Sequence, residues 1–132
     1  LLAAGAGGVD LVVGDVLEPL PLDAAAVEPV ESCAMNHVLH CVPGPMRTKL
    51  DRALDHLAPL MADDAVFFGS TVLREEDEGH SDASRRFVRW LNARGVFHNA
   101  EDTLDDLHHI LQSRFASVSV RRVGAEAVFE AS

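Results

Sequence analysis

The sequence predicts an α/β fold: a mostly parallel sheet with helices in its crossovers, closed by an antiparallel hairpin. Three observations predict it. Short, largely apolar runs at 9–13, 32–36 and 65–71 read as strands buried on both faces, the pattern of parallel sheets. Helical stripes follow the second and third of these runs, as right-handed crossovers require. The last residues alternate polar and apolar on either side of Gly124-Ala125, the signature of a hairpin.

The elements follow in order. Residues 9–13 form the first strand, ending in Gly14-Asp15, and 17–30, with Pro19, Pro21 and Pro29, form a loop. The second strand, 32–36, leads to one helical turn at 37–42, closed by Pro43-Gly44-Pro45. A helix is predicted over 46–61, because Leu50, Ala53, Leu54, Leu57 and Met61 share one face, with Pro59 ending or kinking it. The third strand is 65–71, and 74–82 is an acidic, solvated loop. A helix over 84–94 turns Phe87, Val88 and Leu91 inward and stops at Gly95. Trp90 reads as a core or partner-facing residue. Asn99 is the predicted cap of the next helix, with Glu101 and Asp102 in its first turn and Leu104, Leu107, Leu111 and Phe115 as its stripe. Residues 117–123 and 126–131 make the hairpin. The 132 residues are read as a single domain, or part of one.

Composition narrows the function classes. With 21 acidic against 11 basic residues and a net charge of −10, the chain lacks the clustered cations that phosphate backbones and anionic membranes select. No apolar run approaches the ~20 residues of a membrane span. Cys33 and Cys41 lie in apolar surroundings and read as reduced core thiols, which predicts a cytoplasmic protein. The chain opens on Leu1 without a charged leader, and the expectation is that an N-terminal part is missing.

Local motifs carry a family resemblance. They are Val13-Gly14-Asp15-Val16 after a strand, Met35-Asn36-His37-Val38-Leu39-His40-Cys41 after the next, and His56-Leu57-Ala58-Pro59-Leu60-Met61 before the third. Gly95-Val96-Phe97-His98-Asn99, Glu101-Asp102 and the ending 123–131 complete the set. In this order and spacing the chain resembles a class I S-adenosylmethionine-dependent methyltransferase from residue 9 onward. The resemblance implies a Rossmann-like three-layer α/β/α domain with strand order 3-2-1-4-5-7-6, of which this chain would supply the third to seventh strands. The first two strands, the glycine-rich cofactor turn and the acidic ribose-binding residue have no counterpart. Gly5-Ala6-Gly7-Gly8 does not replace that turn, because it precedes a strand instead of following one. Asp63-Asp64 stand where the family has a Gly-Gly turn.

The resemblance implies S-adenosyl-L-methionine as cofactor and a small-molecule methyl acceptor. Gly14, Asp15 and Val16 would meet the adenine, with the Asp15 carboxylate accepting its amino hydrogen; Asn36 and His37 would face the methionine end. From its position alone, Asp15 could equally cap the turn that follows, and Asn36 could be a plain turn residue. His37 and His40, spaced i, i+3, are the candidate bases, since histidine exchanges protons near neutral pH; the alternative is that both only pack. Phe97 and Asn99 are the candidate acceptor-side residues, the alternative being a helix cap with its anchor. No metal is predicted: His37, His40 and Cys41 could in principle give three ligands, but Cys33 and Cys41 form no C-x-x-C pair, no downstream cluster has zinc spacing, and the adjacent His108 and His109 point to different helix faces.

Two other functions are considered. A nicotinamide-dependent short-chain reductase would need a Tyr-x-x-x-Lys pair, and the chain has no tyrosine and one lysine, Lys49. A non-catalytic Rossmann-like remnant would act through a protein interface, and a homodimer formed through an exposed strand edge is the form that reading predicts.

Overall fold

The computed structural model describes residues 11–132. Strand β1 (Val30–Asn36) is followed by a 3-10 turn (Leu39–Cys41), α1 (Met46–Leu57), a second 3-10 turn (Ala58–Leu60), β2 (Met61–Val72), α2 (Asp82–Ala93), α3 (Leu104–Arg114), β3 (Val118–Val123) and β4 (Glu126–Ala131). The four strands lie in the order β1-β2-β4-β3. β1 and β2 run parallel, and β2–β4 and β4–β3 are antiparallel. The α/β class, the crossover helix α1 between parallel strands and the terminal hairpin are those the sequence predicts. Gly124, at φ +59°, makes the hairpin turn.

The core lies between α1, α3 and one sheet face. Leu50, Ala53 and Leu54 of α1 and Leu107, Ile110 and Leu111 of α3 meet Met35, Phe67, Ala127, Phe129 and Ala131 of the sheet. Burial of each large side chain here contributes about 1.5–3 kcal/mol. Phe67 stacks on Phe115 at 5.9 Å and tilts against Phe129 at 5.3 Å. Gly69 lets β1 and β2 close up, because a Cβ there would run into the Met35 carbonyl and the Phe129 ring. Thr103 and Ser81 cap α3 and α2, accepting from the Asp106 and Ser84 amides.

Several expectations are corrected. The first predicted strand is not formed in its described part: 11–13 are exposed and non-helical, non-strand backbone. Among the described residues no strand lies beside them, and without a ladder partner an apolar run has no reason to stay extended. Val9, Gly5-Ala6-Gly7-Gly8 and the rest of 1–10 lie outside the described residues. One of the three strand pairings is therefore parallel, and α1 and α3 cover a single face. The opposite face is open among the described residues, so a third layer has no element there. For the same reason β1 and β2 are not buried on both faces: Phe68 is 37% exposed, and in β1 only Met35 is buried. Cys41 is exposed and so is not a core thiol, whereas Cys33 is half-buried and packs against the core.

The predicted 46–61 helix ends at Leu57, where Pro59 enters the 3-10 turn and Met61 starts β2. Phe87 and Trp90 face outward, stacked at 6.0 Å, because α2 buries only Val88 and Leu91. Asn99 does not cap α3; the cap is Thr103, and Asp105 and Asp106 occupy the first turn. The acidic loop is tied down as well as solvated: Asp77 accepts from Arg74 at 2.6 Å and Arg122 at 3.3 Å, and Glu75 pairs with Arg89.

Candidate functional site

The carboxyl ends of β1 and β2, where α/β sheets hold ligands, bring five predicted residues together. β1 ends at Asn36, exposed, and His37 turns the chain at φ +54°, its amide donating to the Ser70 carbonyl. A non-glycine residue in this region costs energy, and such turns concentrate at functional sites. The turn sends the His37 ring outward, where its Nε2 meets Glu126 Oε2 of β4 at 2.9 Å. The side chains are 56% and 38% exposed.

His40 sits one turn further on and is buried. Its Nδ1 accepts from the Val72 amide at 3.2 Å and lies 3.4 Å from Thr71 Oγ1. The amide is an obligate donor, so in the neutral ring the proton is on Nε2. Burial, then the charges of His37 and Lys49, lower the His40 pKa from 6.5 to about 4, against an opposing pull from Glu126. The Phe97 ring packs edge-on against it at 4.4 Å, and the His37 ring lies 5.9 Å away.

Phe97 belongs to a loop held from beneath by a polar network. Gly95, at φ +65°, ends α2, and the chain passes through Phe97 and His98, whose amide donates to the His40 carbonyl at 2.7 Å. Asn99 is fully buried: its Nδ2 donates to the Val72 and Leu73 carbonyls at 3.0 Å each, and it exchanges two bonds with Asn92. Lys49, also fully buried, donates to the Val42 carbonyl, the His98 carbonyl at 2.9 Å and Asp102 Oδ2 at 2.6 Å. Burial raises the Asp102 pKa from 3.8 to about 6 although Lys49 pulls it down, and burial likewise lowers that of Lys49. Asp102 Oδ1 makes no well-formed hydrogen bond, although the Met46 amide at the start of α1 is near enough to favour the charged carboxylate. An open cleft of about 350 Å³ lies over this loop, lined by Gly44, Pro45, Asn92, Phe97, His98 and Glu101.

The adenine-side residues stand apart. Gly14 and Asp15 are exposed, and Asp15 Oδ1 accepts from the Leu17 amide at 2.9 Å, which is the turn-capping arrangement. Val16 packs against the core, and Arg52 of α1 anchors the segment through the Leu17 carbonyl at 2.7 Å.

Known proteins decide the relationship. No family model matches the chain. Methyltransferase verB of Penicillium polonicum is 38% identical over 123 residues, 92% of this chain and 52% of that protein. Demethylluteothin O-methyltransferase of Streptomyces thioluteus is also 38% identical over 123 residues, 93% of this chain and 51% of its own. In sequence the chain is similar to proteins named methyltransferases, and its fold is that of solved O-methyltransferases. The fold agrees with that of an O-methyltransferase (NcsB1) from neocarzinostatin biosynthesis, solved with S-adenosyl-L-homocysteine and 1,4-dihydroxy-2-naphthoic acid. The TM-score is 0.52 at 19% identity, over 92% of this chain and 33% of that one. The chain spans about half the length of the curated relatives it matches.

Within a methyltransferase frame, β1, β2 and the β3–β4 hairpin correspond to the fourth, fifth and last two family strands. The structure gathers Asn36, His37, His40, Phe97 and Asn99 around the ends of β1 and β2, and leaves Gly14 and Asp15 outside that group. Sequence reasoning missed Lys49, Glu126 and the buried role of Asp102. Lys49 had a signal: with Met46, Leu50 and Ala53 it falls at i, i+3, i+4 and i+7, so a cation sits on the apolar face of α1. Among the described residues no group of three His, Cys, Asp or Glu side chains could hold a metal ion, and no helix is long and apolar enough to cross a membrane.

Proposed function

We propose that this chain forms the acceptor-side part of an S-adenosylmethionine-dependent methyltransferase acting on a small molecule. One observation carries the reading: the left-handed Asn36–His37 turn and the His40–Phe97 contact meet at the carboxyl ends of the parallel pair, with a cleft on the far side lined by Phe97 and His98. The cofactor supplies a methyl group on a sulfonium centre, whose good leaving group leaves the protein mainly the task of alignment.

The residues fit one end of that group. Asn36 offers an exposed amide at a strand end, and the backbone beside it turns away sharply, which suits the methionine end. Asp15 is placed for a turn, so the adenine end is not built by the described residues. His37 is the group free to hold a proton. Glu126 takes its Nε2 proton, leaving Nδ1 as a lone pair, whereas His40 Nδ1 is engaged by the Val72 amide. Phe97 would wall the acceptor, with Asn99 holding its loop in place. Exposed and half-buried thiols at Cys41 and Cys33 suit a reducing, cytoplasmic setting.

Calorimetric titration with S-adenosyl-L-homocysteine tests the reading. The expected result is a Kd in the micromolar range, weakened about tenfold by Asn36→Ala, which corresponds to about 1.4 kcal/mol. A folded chain that gives no heat refutes a cofactor site at these residues.

A further inference from the structure

We infer that the buried Lys49–Asp102 pair is a positioning device that presses Phe97 onto His40 and so closes the acceptor side of the site. This rests on the methyltransferase reading for what the site does, but not for how it is built.

The argument starts from cost. Burying a Lys and an Asp side chain completely is expensive even when they pair, and an apolar pair of similar volume would serve stability as well or better. A fully buried pair is therefore weak evidence for stability and better evidence for holding a geometry. The geometry here is specific. Besides Asp102, Lys49 uses its other two donors on backbone carbonyls: Val42, just after the His40 turn, and His98, next to Phe97. One ammonium thus ties α1 to the segment carrying His40 and to the loop carrying Phe97. The His98 amide reaches back to the His40 carbonyl at 2.7 Å, so both segments are joined twice. Asn99 fastens the same loop to the end of β2 through the Val72 and Leu73 carbonyls, and the Val72 amide is the group that holds His40 Nδ1. Phe97 packs on His40 because its neighbour's carbonyl is pinned from below. Asp102 orients the ammonium, and one of its oxygens is left without a well-formed bond, a cost that packing alone does not require.

The device can be read without cofactor or acceptor, through the His40 ring. The charged groups that bear on His40 are His37, Lys49 and Glu126. In Lys49→Met/Asp102→Asn volume is kept; because loss of the Lys49 charge raises the His40 midpoint by itself, the ring contact is what reports the device in this variant. The experiment is an NMR titration of the His40 imidazole in the full chain, with the Phe97–His40 ring contact followed by NOE. In the parent protein the ring stays neutral down to about pH 4 and the contact is seen. In the double variant the Phe97–His40 contact is lost. Phe97→Ala, which leaves the pair and its charges intact, raises the His40 midpoint by about one pH unit, as water reaches the ring. A folded double variant that keeps the NOE overturns the proposal. If the double variant does not fold, an unmoved midpoint in Phe97→Ala overturns it instead. Loss of S-adenosyl-L-homocysteine binding with the NMR result intact would remove the methyltransferase reading and leave the positioning device standing.

Discussion

Replacing His40 by Gln changes how stability responds to acid, and the size of the change follows from the site. The folded ring titrates at about 4 against an ordinary 6.5, so between these values the unfolded chain binds the proton that the folded chain refuses. Stability from this group is complete above pH 6.5 and is lost as pH falls toward 4. At pH 4.5 the linkage amounts to about 2.5 kcal/mol, or about 2 kcal/mol once partial solvent access is allowed for. Asp102 works in the opposite sense: its carboxyl is raised from 3.8 to about 6, so the folded state holds that proton more tightly and gains stability as pH falls through the same window. The parent profile is therefore flattened, and only a difference isolates His40. Gln keeps an oxygen for the Val72 amide and does not titrate. Urea unfolding of both proteins at pH 7 and pH 4.5 is the assay. The variant is expected to lose stability at pH 7 and to regain about 2 kcal/mol relative to the parent at pH 4.5. Profiles that stay parallel within about 0.5 kcal/mol would refute the reasoning, because the ring would then titrate alike in both states.

Two further outcomes follow from the packing. Gly69→Ala should cost about 2–4 kcal/mol, because the added methyl meets the Met35 backbone and the Phe129 ring and neither can retreat without parting β1 from β2; a thermal melt within a degree or two of the parent would contradict this close approach. Arg114→Ala removes the pairs with Asp51 and Asp55 on α1, at 2.5 and 2.7 Å, yet these acids are half exposed or more. The loss should be about 0.5 kcal/mol in chemical denaturation and should shrink in about 1 M salt, where the screening length is about 3 Å.

Much of this fold was legible along the chain because its signals are local. The Gly124-Ala125 turn between two alternating segments specifies the hairpin, and Pro45, the Leu50–Leu54 stripe and Pro59 bracket α1 to within a turn. Thr103 with Asp106 three residues on was a cap signal of the same kind, masked by Asn99 a few residues earlier. Asn36, His37, His40, Phe97 and Asn99 could be named as candidates, since residue type and place after a strand are enough for that.

Their roles depended on contacts that run across the chain. His37 meets a glutamate 89 residues away, and Lys49 meets an aspartate 53 residues away. No periodicity reports a partner at such separation. Whether an apolar run becomes a strand is likewise decided by its neighbours: 65–71 has β1 and β4 beside it and pairs, while 11–13 has no strand beside it among the described residues and remains exposed. Backbone preference is written in nearest neighbours, whereas ladder bonds, burial and proton affinity belong to whatever the fold brings alongside.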